Sequence, residues 1–502
     1  MRQASITDWR SLPPEAKQQL LEELQRRQGS RVGARFRKQY RNDPASFVRN
    51  CFNWREGEHP TAYQEEILTD IPARKRVTVR GPHGLGKTSL AAWVILWFAL
   101  TRDGEDWKVA TTASSWRQLT KYLWPEIHKW SRRLKWDHVG RQMFDKRTEL
   151  LTLSLKLSTG EAFAVASDNH ELIEGAHADS LLFLFDEAKA IKPEVFDAAE
   201  GALSGGGGAE AFALAISTPG EPTGRFYDIH RRKPGFEDWH VRRVSLVESI
   251  EAGRISGEWA EQRKRQWGEQ SAVYQNRVLG EFCATDEDSI IPLAWIEAAN
   301  ERWELWNENK EWLPFTCVGV DVARSENGDK TVLAMRHGDV ITELRRHAET
   351  DTMQVTGYVA GILRARSSGY AVVDVIGIGA GVVDRLREQN LSVKPFNAGE
   401  RAIGKDQSKE LEFLNKRSQA WWNLRELLDP ASNSSIAIPP DDLLIGDLTA
   451  PHWKATSAGK IQVESKDDIR KRLGRSTDDG DAVVMAFYKQ PSSQVRFGRL
   501  IF

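Results

Sequence analysis

Residues 81–88 read Gly81-Pro82-His83-Gly84-Leu85-Gly86-Lys87-Thr88, between a β-branched run, Arg76 to Arg80, and an apolar helical stretch, Ser89 to Leu100. Glycines at this spacing let backbone amides approach phosphate oxygens. The lysine brings an ammonium to the β- and γ-phosphates, and the next hydroxyl can ligate Mg²⁺. The helix that follows turns its positive end toward the same anion. Gly81, Gly84, Gly86, Lys87, Thr88 and Ser89 are therefore candidate ligands of a nucleoside triphosphate and its metal.

Outward from this loop, short β-rich runs at Trp107–Thr112, Glu161–Ala166, Leu181–Phe185 and Ala211–Ser217 alternate with helical segments. That order predicts an α/β fold with a mostly parallel sheet covered by helices on both faces. The run Leu181–Phe185 ends in Asp186-Glu187. Asp186 is placed to orient Mg²⁺ and its waters, and Glu187 to polarise the attacking water. Ser217 and Thr218, ahead of Pro219, put two hydroxyls near the expected γ-phosphate, a plain turn before proline being the other reading. Gln64 lies upstream of the first strand, where an amide can read the adenine edge; otherwise it is an exposed helix residue. Arg117, just after the Trp107 strand, is the candidate for a second catalytic charge acting in trans between neighbouring subunits; the alternative is a solvent-facing helix arginine.

The second half opens differently. Phe315–Val322, Lys330–Arg336 and Val340–Arg346 read as a three-stranded meander, followed by helix Thr352–Arg366, strand Tyr370–Val375, helix Ala380–Gln389 and strand Val393–Phe396. This is the order of an RNase H-like domain with a mixed sheet. Asp321 and Asp374 sit among valines, where a carboxylate is costly unless something compensates it. Asp478 and Asp481 share one face of an apolar helix. Acids without His or Cys point to Mg²⁺, with Mn²⁺ able to substitute. A pair of such ions would activate water and stabilise the leaving oxygen of a cleaved phosphodiester. Asp321, Asp374 and Asp478 are candidate catalytic and metal-binding residues, Asp481 is a further metal candidate, and Asp329 a weaker one. Lys466, Arg470, Lys471, Arg472 and Arg475 lead into that helix and read either as a track for a DNA backbone or as a solvated face.

A chain of 502 residues exceeds one ordinary core. The expected organisation is an accessory segment 1–45 with a surface helix over 13–28, a nucleotide-binding domain 46–257, a helical linker 258–312, a nuclease-type domain 313–490 and a tail 491–502. Four glycines, Gly205 to Gly208, mark a loop. With 70 Lys+Arg against 71 Asp+Glu, net charge gives no argument for a nucleic-acid partner, so any basic track is local. Three scattered cysteines argue against a disulfide framework or structural zinc and fit a reducing compartment. The longest apolar stretch, Ala91 to Leu100, falls short of the roughly 20 residues that span a bilayer.

Taken in order, Gln64, the Gly81–Thr88 loop, Asp186-Glu187, Ser217-Thr218-Pro219, Asp321, Asp374 and the Asp478/Asp481 helix resemble the large terminase subunit of tailed bacteriophages. The segments Asn415–Trp422 and Ser465–Ile469 are similar to family segments as well. The resemblance implies an ATPase that pumps double-stranded DNA into a procapsid through the portal protein, working as a pentameric ring. It also implies a nuclease that cuts concatemers, a small terminase subunit as DNA-recognition partner, and work in the host cytoplasm, transiently at the portal. The tail would dock on the portal. One departure stands out: Thr477 occupies the first of two positions usually acidic in the family, which leaves open whether Asp478 or Asp481 is the third metal ligand. A helicase-nuclease would carry a second glycine loop, and the C-terminal half has none; an ATP-binding scaffold with decayed sites is disfavoured by the intact Lys87, Glu187 and Asp set.

Overall fold

In the computed structural model of the chain, residue 15 and residues 29–166, 176–203, 210–283, 288–323, 330–348, 351–366 and 368–488 are described. The expected 13–28 helix lies almost wholly outside them, and the Gly205–Gly208 loop, Asp329 and the 491–502 tail lie outside entirely. The chain divides into two units, Met1–Gly257 with Asn276–Cys283, and Glu258–Gln275 with Ala284–Phe502. The stretch 258–312, expected as a linker, is thus shared between the two units.

The first unit is built on seven strands: β1 (Arg76–Arg80), β2 (Trp107–Ala113), β3 (Ser154–Lys156), β4 (Gly160–Val165), β5 (Ser180–Asp186), β6 (Glu210–Ser217) and β7 (His240–Arg243). Their order across the sheet is β3-β4-β2-β5-β6-β1-β7, and every pairing is parallel except β3 with β4. A parallel strand covered on both faces reads as a continuous apolar run, and β5, Ser-Leu-Leu-Phe-Leu-Phe-Asp, is buried at every position. Helix Lys87–Arg102 is buried from Leu90 to its end. Its last residue, Arg102, lies with its guanidinium carbon 4.2 Å from the Phe98 ring centroid and pairs with Glu210 at 3.1 Å, so the buried charge is compensated. Register decides the function of this sheet. Arg80 is level with Ser217, and Asp186 with Ile216, so the loop after β1 and the C-terminal ends of β5 and β6 meet at one edge. The short strands β3 and β7 were not legible in the sequence because three or four half-exposed residues carry no distinctive period.

The second unit contains β8 (Phe315–Asp321), β9 (Thr331–His337), β10 (Val340–His347), β11 (Tyr370–Asp374) and β12 (Val393–Phe396), ordered β10-β9-β8-β11-β12. The first three pair antiparallel, while β8, β11 and β12 are parallel, which is the mixed sheet expected of an RNase H-like fold. Val320 is level with Val373, so Asp321 and Asp374 end neighbouring strands side by side. Helix Asp478–Phe487 packs on β8 at Gly319, where a Cβ would overlap Ala482 O and come within 2.7 Å of Ala486 N. That contact draws the helix, and the acids at its start, against the strand. A second sheet of β13 (Glu412–Phe413), β14 (Trp453–Ala455) and β15 (Lys460–Val463) had no sequence signal, its strands being two to four residues long.

Candidate active sites

The loop after β1 folds as a phosphate cradle. Gly86 has φ +76°, a left-handed conformation that a side chain would strain, and it caps helix Lys87–Arg102. The Lys87 ammonium donates to Pro82 O and to Thr218 Oγ1, both at 2.9 Å. Burial holds its pKa below the ordinary lysine value, with Glu187 and Asp186 pulling the other way. Asp186, 2% exposed, accepts from the Glu187 N–H through Oδ1, while its buried Oδ2 has no hydrogen-bond partner. Burial first, and the Glu187 carboxylate second, push the Asp186 pKa up to about 7. A buried carboxylate oxygen without a hydrogen-bond partner, close enough to Lys87 to feel its charge, is one that a hydrated cation would satisfy. Glu187 adopts φ +47°, an uncommon conformation for a residue with a side chain, and its Oε2 accepts from Ser217 Oγ at 3.1 Å. An open cleft of about 680 Å³ is lined by His83 to Ser89, Glu187, Thr218 and Arg254, among others. Its residues fit a nucleotide with its metal, for which Thr88 on the cleft and Asp186 at the end of β5 would be oxygen donors.

Gln64 is buried, not exposed: its Oε1 accepts from Thr61 N at 3.0 Å in a capping box, and its Nε2 donates to Leu85 O and Gly86 O at 3.3 and 3.4 Å. Its amide is thus committed to bracing the loop rather than presented to a base. The Ser89 hydroxyl donates to Glu126 Oε1 at 2.6 Å. Arg117, half-buried after β2, is not among the residues that line the cleft. Arg254 and Glu126, which do line it, carried no motif in the sequence.

In the second unit the carboxylates gather around a cation of the chain itself. Lys466 Nζ donates to both oxygens of Asp321 at 2.8 Å and lies 3.2 Å from Asp481 and 3.8 Å from Asp478. Asp321, 3% exposed, has its pKa raised well above the carboxylate range by burial, Lys466 opposing and Asp478 and Asp481 adding. Burial would also raise Asp481, but Arg417, 2.5 Å away, and Lys466 hold it below its usual value. Asp481 further accepts from Trp421 Nε1 at 3.0 Å and Thr477 Oγ1 at 2.9 Å. Thr477 is thus a donor to Asp481, one helical turn on. Asp478 Oδ2 accepts from the Lys330 N–H at 3.1 Å, and Asp374 Oδ1 from the Ile376 N–H at 3.0 Å. Asp374, Lys466, Asp481 and Arg417 line one cavity of about 250 Å³.

Among the described residues, no three His, Cys, Asp or Glu side chains form a group that holds a metal as they stand. The Lys466 ammonium takes the position between Asp321 and Asp481. The donor chemistry still fits a divalent ion. Asp321, Asp478 and Asp481 surround Lys466, Asp481 also pairs with Arg417, and Asp374 lines the same cavity as Lys466 and Asp481, so all donors are hard oxygens. Of the basic run, Lys466 is enclosed by acids, Arg475 is paired with buried Asp447 and Arg472 with Glu464 at 2.7 Å, while Arg470 and Lys471 are exposed. Asp447 in turn accepts from Asp479 N and Gly480 N at 2.9 and 3.2 Å, anchoring the start of the acid-bearing helix.

No family model matches the chain. Its sequence is similar to the probable terminase large subunit of Enterobacteria phage P7, 23% identical over 444 residues, covering 84% of this chain and 86% of that one. Among solved structures, the large terminase of a thermophilic bacteriophage aligns with 86% of this chain and 100% of its own at TM-score 0.40 and 12% identity. The nuclease domain of the large terminase subunit of bacterial virus Sf6 aligns with 40% of this chain and 99% of its own at TM-score 0.35 and 18% identity. No helix among the described residues is long and apolar enough to cross a membrane.

Proposed function

We propose that this relative of the large terminase subunits is a DNA-packaging motor subunit: an ATPase that drives double-stranded DNA into a procapsid and a metal-dependent endonuclease that cuts the concatemer. The observation that carries the reading is the presence on one chain of a phosphate cleft with an unsatisfied buried acid, Asp186, and a separate carboxylate cluster on an RNase H-like sheet. The sequence relationship supports it over most of both chains. The partners are the portal protein and a small terminase subunit, the working state is a pentameric ring, and the place is the host cytoplasm and, transiently, the portal.

In the first unit, the loop amides and Lys87 bind the β- and γ-phosphates, and Lys87 exchanges Thr218 Oγ1 and Pro82 O for phosphate oxygens. Thr88 and Asp186 would hold Mg²⁺, which offsets the phosphate charge. Glu187 is the base that orients the attacking water. Its link to Ser217 Oγ ties that carboxylate to the end of β6, so loss of the γ-phosphate is felt at Ser217 and Thr218. Arg117 is retained as the trans-acting charge, from its place after β2 at the start of helix Gln118–Leu123.

In the second unit, Asp321, Asp374 and Asp478 would hold Mg²⁺ or Mn²⁺, with Asp481 committed mainly to Arg417, Trp421 and Thr477. A bound divalent ion supplies Lewis-acid activation of water and of the leaving oxygen. Lys466 fixes the Asp321 carboxyl through both its oxygens and opposes the rise in its pKa that burial causes.

The test is ATP turnover by the purified chain with and without linear duplex DNA. DNA-stimulated hydrolysis that Glu187→Gln abolishes supports the motor. Negligible turnover in both proteins would leave only a binding scaffold and defeat the reading.

A further inference from the structure

We infer that Arg254 is a phosphate-binding residue of the nucleotide cleft, supplied by the same chain and directed at the α- and β-phosphates of the bound nucleoside polyphosphate. The inference rests on the nucleotide reading of that cleft. Arg254 follows helix Leu246–Glu251, and its backbone is fixed against the loop. Its N–H and that of Ile255 both donate to Ser249 O, at 2.9 and 3.2 Å. Ile255 is buried, and its Cγ1 and the Arg254 carbonyl each lie 3.8 Å from where a Cβ on Gly84 would stand. The guanidinium then rests on Gly86. A Cβ there would lie 2.5 Å from Arg254 Nη2 and 3.3 Å from Cζ.

Arg254 is exposed and lines the cleft, and among the described residues no carboxylate pairs with it. Arg242, on the neighbouring strand β7, shows the contrast, being held by both Glu66 at 2.8 Å and Glu248 at 2.5 Å. A guanidinium without a carboxylate, laid against a loop of amide donors, presents a two-pronged donor to a phosphate.

Position along the loop selects the phosphates. Lys87 reaches toward Thr218, on the side where Glu187 and Ser217 stand, which is the γ-phosphate end. Arg254 shares the opposite side with Gln64, 2.9 Å from the same Gly86 Cβ position, and with Tyr63, whose hydroxyl donates to Leu85 O at 3.0 Å. Contacts there are common to a di- and a triphosphate, so they govern affinity for both alike.

The experiment is calorimetric titration of the full chain with Mg²⁺ and either ADP or a non-hydrolysable ATP analogue. Arg254→Gln weakens both by a similar factor of about tenfold or more, the worth of a charge-assisted hydrogen bond, and Arg254→Lys recovers part of the loss for both. Unchanged affinity in Arg254→Gln overturns the inference, as does a loss confined to the triphosphate, which would put the group at the γ end. Failure of the parent chain to bind either nucleotide is a different result, and it overturns the nucleotide reading itself. Melting of each nucleotide-free variant reports folding, and the lysine variant provides the comparison should the glutamine one be unstable.

Discussion

Replacing Lys466 by Met removes the cation that lies against Asp321, Asp478 and Asp481 while keeping most of the length of the side chain. The ammonium is 2.8 Å from both Asp321 oxygens and 3.2 Å from Asp481. At 2.8 Å and an effective dielectric of about 20, one such pair is worth about 6 kcal/mol of Coulomb energy, of which the desolvation of both groups has already consumed part. Breaking a buried pair by deleting one partner costs about 3–5 kcal/mol. That is the expected loss of stability at neutral pH in chelator. The sign with pH follows from Asp321, whose folded pKa is raised above its unfolded value. The native chain then holds a proton that the unfolded chain releases, so stability falls as pH rises from about 4. Without Lys466 this dependence extends to higher pH, and the deficit relative to the parent shrinks toward pH about 4. A divalent ion restores what the ammonium supplied: at one hundred times its dissociation constant it returns about 2.7 kcal/mol. The assay is urea unfolding of both proteins across pH, in chelator and in Mn²⁺. A variant as stable as the parent at neutral pH in chelator, or one whose deficit Mn²⁺ leaves untouched, would refute the reasoning.

Three further outcomes are expected. Gly319→Ala drives a methyl into Ala482 O and Ala486 N, displacing the acid-bearing helix; overpacking costs about 1–3 kcal/mol, and DNA cleavage falls while ATP turnover by the first unit persists. Because the Asp186 pKa is pushed up to about 7 and Mg²⁺ requires its ionised form, Mg²⁺-nucleotide affinity weakens as pH drops below 7. Binding near that pH releases a proton, and calorimetry in buffers of different ionisation heat shows the release vanish in Asp186→Asn. Arg475→Ala leaves buried Asp447 without its guanidinium; it lowers stability by about 3–5 kcal/mol, read as a fall in the urea midpoint.

The sequence displayed whatever depends on local spacing. The glycine loop, the apolar strand running into Asp186, the meander from Phe315 and the strand-terminal Asp374 each announce themselves within about ten residues. The parallel register that puts Asp186 and Ser217 at one edge follows from the alternation of strands and helices. Positions fixed by tertiary packing were not legible. Lys466 looked like one member of a basic run because nothing in Ser465-Lys466-Asp467 says that its ammonium turns inward to Asp321, 145 residues away. Gln64 was read by its polarity, yet the capping box with Thr61 and the carbonyls of Leu85 and Gly86 bury it. Arg254 belongs to no motif, and only the fold lays it on Gly86.

The central claim is that two separate sites on one polypeptide do two different kinds of phosphate chemistry. The direct measurement is ATP hydrolysis and Mn²⁺-dependent plasmid cleavage, assayed side by side in the parent chain, Glu187→Gln and Asp321→Asn. The account predicts that Glu187→Gln loses hydrolysis and still cuts, while Asp321→Asn loses cutting and still hydrolyses. Loss of both activities in either variant, or of neither, would contradict it.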